Sequence, residues 1–230
     1  MNYNLTKYFG LIAIMFINLS CENKDVLYEA TDFAYVGEFT RGLEGPAVDN
    51  YGNLYFVNPF KNGSIGKVNS SGNFSIFIDE LPNNSVANGI RFGKNQEMFL
   101  ADYTQHNILV IDKDKNLARV YANDSTINQP NDLAICCDNL LFASDPSWKN
   151  NSGNLLKIKD GEITYLEKNM GTTNGIEVNP DENKLYVNES VQKNIWVYDL
   201  DSDGNISNKK LFDSFDEYGL DGMRCDNKGN

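Results

Sequence analysis

Four short apolar runs punctuate the chain: Leu54-Tyr55-Phe56, Met98-Phe99-Leu100, Leu140-Leu141-Phe142 and Leu185-Tyr186-Val187. They begin 44, 42 and 45 residues apart. Three of the repeats share one rhythm, in residues 54–78, 98–122 and 185–212. An apolar strand is followed by a polar turn, a second strand ending near Asp112 or Asp199, a tight turn and a third strand. Gly and Asn supply the left-handed conformations that such turns demand. No convincing amphipathic helix follows the first twenty residues. A period of this size, filled with short strands, predicts an all-β chain folded as a β-propeller with one four-stranded blade per repeat.

The turn Asp49-Asn50-Tyr51-Gly52-Asn53 leads directly into the first run, and Asp226-Asn227-Lys228-Gly229-Asn230 repeats it at the last residue of the sequence. The sequence therefore reads as a truncated record that stops about four blades into a ring that commonly needs six. An unclosed propeller leaves an unpaired blade face, which native proteins avoid.

A second repeat runs in phase with the first. Glu44, Asn88, Asn131 and Asn174 stand 10, 10, 9 and 11 residues before the four runs, and Asp221 occupies the same phase afterwards. Equivalent positions of successive blades converge on the propeller axis when they lie at its inner rim. The converging side chains are two carboxylates and three amides. Oxygen-only donors suit a hard divalent cation, calcium first, with magnesium, manganese or zinc as alternatives. One Asn-Gly or Asp-Gly dipeptide alone reads as a turn former. Five residues at one phase, with a Glu among them, read as a ring of ligands.

These residues resemble the senescence-marker-protein/gluconolactonase family of six-bladed propellers, which includes regucalcin-like proteins and is related in fold to diisopropyl fluorophosphatase. The resemblance rests on Glu44-Gly45-Pro46, Asn88-Gly89-Ile90, Pro130-Asn131-Asp132-Leu133, Ser144-Asp145-Pro146, Asn174-Gly175-Ile176 and Asp221-Gly222-Met223, in that order. It implies that Glu44, Asn174 and Asp221 are metal ligands and that Asn131 is a further ligand or touches substrate. By the same resemblance Asn88 lines the pocket, and Asp145 and Trp148 form its wall. The implied reaction is hydrolysis of a sugar lactone or similar cyclic ester, with Asp221 as general base or attacking carboxylate. Two other readings stay open: a metal-stiffened propeller that binds a partner or carbohydrate without catalysis, and an inactive fragment.

Charge and termini narrow the partners. The formal net charge of −12 over 230 residues, with Lys and Arg scattered, argues against nucleic acid and anionic membrane surfaces. Residues 1–20 combine one Lys with an apolar stretch too short for a comfortable membrane span, which reads as an export signal. Asn18-Leu19-Ser20-Cys21 resembles a loose bacterial lipobox, so Cys21 is expected to carry a lipid as the only link to the membrane, with residues 21–29 as tether and 30–230 as propeller. The protein is then a cell-envelope lipoprotein, periplasmic or at the cell surface; an ordinary secretory signal with an incidental Cys is the alternative. The Asn-x-Ser/Thr triplets at Asn62 and Asn188 are then expected to stay unmodified.

Cys136, Cys137 and Cys225 form no CxxC pair. The first two, adjacent on a strand, would point to opposite faces, and all three read as packing residues, with a disulfide as the alternative. Asp199-x-Asp201-x-Asp203-Gly204 imitates the start of a calcium loop, but Lys210 stands where the closing Glu is required, and a hairpin turn is the better reading. His106, the only histidine, falls in a turn outside the ring phase. With no GxSxG, HExxH or GxxxxGK[ST] sequence, neither a serine triad nor a nucleotide loop is indicated.

Overall fold

The apolar runs are strands with both faces covered. In the computed structural model, which describes residues 32–34, 42–112 and 117–230, Met98, Leu100, Leu109 and Ile111 pack toward the preceding sheet. Phe99, Ala101, Ile108 and Val110, alternating with them, pack toward the following one. Period-two alternation thus divides one continuous apolar run between two interfaces, which explains why these strands show no polar face.

Among the described residues sixteen strands form four antiparallel sheets of four. Blade 1 contains β1 (Glu44–Val48), β2 (Leu54–Val57), β3 (Ile65–Val68) and β4 (Phe74–Ile78). Blade 2 contains β5 (Ala87–Phe92), β6 (Met98–Asp102), β7 (Asn107–Ile111) and β8 (Ala118–Asn123). Blade 3 contains β9 (Leu133–Cys136), β10 (Leu140–Ser147), β11 (Ser152–Lys159) and β12 (Glu162–Met170). Blade 4 contains β13 (Thr173–Val178), β14 (Lys184–Glu189), β15 (Asn194–Leu200) and β16 (Ile206–Ser214). Within each sheet the strands lie side by side in chain order, the up-and-down meander of a propeller blade. The helical pieces among the described residues are two single 3-10 turns, Pro82–Asn84 and Trp148–Asn150. No helix among these residues is long and apolar enough to cross a membrane.

Three apolar clusters lie between successive blades, and Phe33–Asn230 forms one compact unit. Between blades 3 and 4, Phe142 and Leu155 meet Ile176, Val187 and Tyr198. The outermost strands are largely exposed: β16 buries none of its residues and carries Lys209, Lys210 and Asp213, charges that discourage edge-to-edge pairing.

Two details differ from or refine the sequence reading. Cys136 ends β9 and packs in the core between blades 3 and 4, but Cys137 has already left the strand at φ 42°. The two thiols are therefore not on opposite faces of one strand: Cys137 Sγ turns to Glu182 Oε2 at 3.5 Å. Cys136, Cys137 and Cys225 are free thiols. The calcium-loop look-alike is the β15–β16 turn, where Asp201 accepts the backbone N–H groups of Asp203 and Asn205 at 3.0 and 2.8 Å. The expected signal segment and Cys21 lie outside the described residues.

Candidate functional site

Each innermost strand carries an irregularity beside its ring residue. In β1 the register slips between Glu44 and Ala47, in β5 between Ala87 and Gly89, and in β13 between Thr173 and Ile176. In blade 3, Ser144 bonds both Asn131, whose N–H it accepts at 2.9 Å, and Asp132, to whose carbonyl it donates at 3.1 Å. Such bulges set two residues against one and re-aim the extra side chain, here toward the axis.

The residue after four of the five ring members is glycine, and at three of these, Gly45, Gly89 and Gly175, close approach requires it. A Cβ on Gly45 would stand 2.2 Å from the Asn88 carbonyl oxygen, one on Gly89 2.8 Å from that of Asn131, and one on Gly175 2.5 Å from that of Asp221. Three of the ring segments therefore rest on the backbone of the next. The Asn-Gly pairs serve packing around the axis, in place of the tight turns such dipeptides make elsewhere.

Glu44, Asn88, Asn131, Asn174 and Asp221 line one cavity of about 380 Å³, together with Asp132 and Arg224. The same five line an adjoining recess of about 320 Å³ whose outer wall is Tyr103, Gln129 and Trp148. The structure thus brings together all five ring residues and Trp148, which is 43% exposed. Asp145 is corrected: it is 0% exposed and stands behind the wall. Its carboxylate accepts the Gln129 backbone N–H at 2.8 Å and the Asn128 and Asn154 side-chain amides at 3.1 and 2.7 Å, so it positions Gln129 instead of facing the cavity. Tyr103 and Gln129 escaped the sequence reading because they lie in connecting segments outside the ring phase. His106 shares the turn with Tyr103 but is not among the lining residues.

Asp221 is held from blade 4. Ser190 Oγ donates to the Leu220 carbonyl, Asn188 Nδ2 to the Asp221 carbonyl, and Asn174 Nδ2 to Asp221 Oδ1 at 3.2 Å and to Ser190 Oγ at 3.0 Å. The Asn174 amide nitrogen is thereby committed, while its oxygen accepts no hydrogen bond among the described residues. The side-chain amides of Asn88 and Asn131 make no hydrogen bond among the described residues. Partial burial, then the charges of Asp221 and Asp132, push the Glu44 carboxyl up from its ordinary value, against a bond from the Gly45 N–H.

No group of three or more His, Cys, Asp or Glu side chains is arranged to hold a metal among the described residues. The ring has a different composition, two carboxylates and three amides. Uncommitted amide oxygens and a carboxyl raised by burial and then by like charge fit a hard cation that would neutralise the pair.

Comparisons with known proteins agree with this architecture. The family model described as SMP-30/Gluconolactonase/LRE-like region matches residues 43–230. A gluconolactonase of Zymomonas mobilis is 30% identical over 169 residues, 63% of this chain and 48% of that protein, so the chain spans about half the length of this curated relative. A gluconolactonase structure from Xanthomonas campestris matches with a TM-score of 0.68 at 19% identity, over 81% of this chain and 67% of that one. A calcium-binding regucalcin from Agrobacterium tumefaciens gives the same TM-score and identity, over 81% of this chain and 65% of that one. Four β-propeller blades, a ring of Glu, Asn and Asp on their inner strands and a match across nearly all of that region place the chain in the SMP-30/gluconolactonase/LRE-like family.

Proposed function

We propose that the protein is a divalent-cation-dependent hydrolase of the gluconolactonase type, opening a sugar lactone or similar cyclic ester. The observation that carries this reading is the convergence of Glu44, Asn88, Asn131, Asn174 and Asp221 on one cavity with oxygen donors alone. Glu44, Asn174 and Asp221 would hold the cation, with Asn131 as a further ligand or substrate contact; calcium suits the donor set best. When bound, the ion supplies polarisation of the ester carbonyl.

The chain's own residues account for the rest. Asn174 fixes one oxygen of Asp221 and leaves the other to take a proton from attacking water, or to attack the carbonyl itself, in which case the alkoxide leaves with a proton from water and a second water opens the acyl-Asp221 anhydride. As water adds to the carbonyl carbon, the ester C–O bond breaks, and the proton held at Asp221 returns to the departing alkoxide, giving the open hydroxy acid. Asn88 and Gln129 offer hydrogen bonds to substrate hydroxyls, while Tyr103 and Trp148 present aromatic faces that shield the ring of a sugar lactone. Export and a lipid on Cys21 would place this chemistry in the cell envelope; Cys21→Ser is expected to move the protein from the membrane to the soluble fraction.

The test is hydrolysis of an aldonolactone panel by the full-length protein freed of residues 1–20, after chelation and after adding back calcium, magnesium, manganese or zinc. Activity lost with chelator and restored by one ion supports the hydrolase. A folded, cation-binding protein without turnover on any lactone supports a binding scaffold instead.

A further inference from the structure

Directly beneath the ring lies a second layer of charge. Arg91 stands three residues after Asn88, Glu177 three after Asn174, Arg224 three after Asp221, and Asp132 immediately follows Asn131. Four successive ring segments thus contribute one charge each, two positive and two negative. Arg91 Nη2 lies 3.2 Å from Asp132 Oδ1 and 3.8 Å from Glu177 Oε2. Arg224 grips Asp132 at two points, Nη1 to Oδ2 at 2.9 Å and Nη2 to Oδ1 at 3.2 Å, and its Nε lies 3.8 Å from Glu177 Oε2. The Asp132 side chain is 8% exposed and also accepts the backbone N–H groups of Leu133 at 2.8 Å and Ile176 at 3.4 Å.

This arrangement has two consequences for the ring. Arg224 belongs to the segment that carries Asp221, and its grip on Asp132 ties that segment to blade 3, opposite its attachments to Ser190 and Asn188 of blade 4. Asp132 also lines the ring cavity and is one of the charges felt by Glu44. Released by Arg224, it would keep only Arg91 as a charged partner and turn part of its charge toward the ring, a third carboxylate competing for the cation and drawing it below Glu44 and Asp221. Two-point pairing with a guanidinium neutralises it in a fixed geometry that an ammonium cannot reproduce.

Building on the cation-dependent reading above, we propose that Arg224 is a positioning residue: its clasp on Asp132 seats Asp221 in the ring and withholds Asp132 from the cation. The probe is Ca²⁺ alone, titrated calorimetrically into the full-length protein freed of residues 1–20, with aldonolactone hydrolysis as a second readout. Arg224→Met is expected to weaken Ca²⁺ binding by about tenfold or more, as outer-shell losses do, because the Asp221 segment loses its tie to blade 3, and to lower kcat/KM at fixed Ca²⁺. Arg224→Lys, which keeps a charge opposite Asp132 without the two-point clasp, is expected to recover part of that affinity. Asp132→Asn added to Arg224→Met should cost less than the two single losses combined, because both substitutions strike the Arg224–Asp132 clasp, while Asp132→Asn also takes a partner from Arg91.

Wild-type Ca²⁺ affinity in a folded Arg224→Met protein, or losses that multiply in the double variant, overturns the proposal. Should Arg224→Met fail to fold, Arg224→Lys carries the test, and unchanged Ca²⁺ affinity there overturns it equally. Ca²⁺ affinity that falls on substitution in a protein opening no lactone upholds the clasp and removes the hydrolase reading. Turnover and Ca²⁺ affinity both unmoved by Arg224→Met retain the hydrolase and remove the clasp.

Discussion

Gly89 packs against the backbone of Asn131 so closely that a Cβ on it would lie 2.8 Å from the Asn131 carbonyl oxygen and 3.0 Å from the Asp132 Cα. Neither neighbour is a flexible side-chain end, so relief requires the segments to part. Gly89→Ala is expected to destabilise by about 1–3 kcal/mol, the usual penalty for overpacking. Gly175→Ala, with Asp221 O at 2.5 Å, should act the same way and displace Asp221 itself. Urea unfolding of both, beside Gly72→Ala, separates crowding from backbone strain. A Cβ on Gly72 would meet nothing within 4 Å, but its φ of 80° disfavours alanine, so only local turn strain is expected there.

The ring and the blades were legible because both are periodic. Apolar runs at nearly constant spacing marked β2, β6, β10 and β14, and the residues about ten positions earlier converge as expected. What the sequence hid is aperiodic or depends on burial. Arg91, Asp132, Glu177 and Arg224 lie far apart in the sequence, and only the folded backbone shows them facing one another. Asp145 was placed in the pocket wall by its motif, yet long-range bonds turn its carboxylate toward Asn128, Gln129 and Asn154. Cys137 departs from a strand pattern because three successive residues, Cys137, Asp138 and Asn139, adopt left-handed φ angles of 42°, 56° and 68°.

Asp145 should therefore affect the site through Gln129. Burial pushes its carboxyl up from the ordinary value while the Asn154 amide and the Gln129 and Asn128 donors oppose that shift. Asp145→Ala leaves the Gln129 N–H and the Asn154 amide without this acceptor, at about 1–3 kcal/mol for each buried unsatisfied group, while Asn128 keeps its bond to the carbonyl of residue 145. Ca²⁺ affinity should stay unchanged, since no ring residue is bonded to Asp145, while KM for a lactone rises as Gln129 loses its place. Calorimetry alongside steady-state kinetics decides. A loss of Ca²⁺ affinity without a rise in KM would put Asp145 in service of the cation instead.

The turns carry an acid dependence of definite sign. Asp201 accepts the Asn205 N–H at 2.8 Å, the Asn205 side-chain amide at 3.0 Å and the Asp203 N–H at 3.0 Å, and Asp226 repeats the pattern with Asn230 and Lys228. These bonds favour the ionised form, and both carboxyls lie below their ordinary value. Their stabilising contribution is present above the unfolded carboxylate pKa and is lost as pH falls through the depressed folded value. Asn69 closes an equivalent turn with an amide, accepting the Ser71 and Asn73 N–H groups at 3.0 and 2.9 Å. Asp201→Asn should consequently fold with the same turn and lie below the wild type in stability at neutral pH, by a margin that closes on acidification. A margin constant with pH, measured by urea titrations across the acid range, would rule out this source of acid sensitivity.

Glu44 offers a test in which the sign reverses with the cation. In the chelated protein its carboxyl is raised by burial and by Asp221 and Asp132, so the charge is unfavourable there. Glu44→Gln removes that repulsion and should melt at or above the wild-type temperature in chelator. With Ca²⁺ present the order inverts, because one of two ring carboxylates is gone. Cation bound only to the folded state stabilises by about 2.7 kcal/mol at a hundred times its Kd, and the variant forfeits most of that gain at the same Ca²⁺ concentration. Thermal melts of both proteins with chelator and with Ca²⁺ provide the measurement. Equal Ca²⁺-induced shifts in the two would exclude Glu44 from the ligand set, and crossing curves would place its carboxylate on the cation.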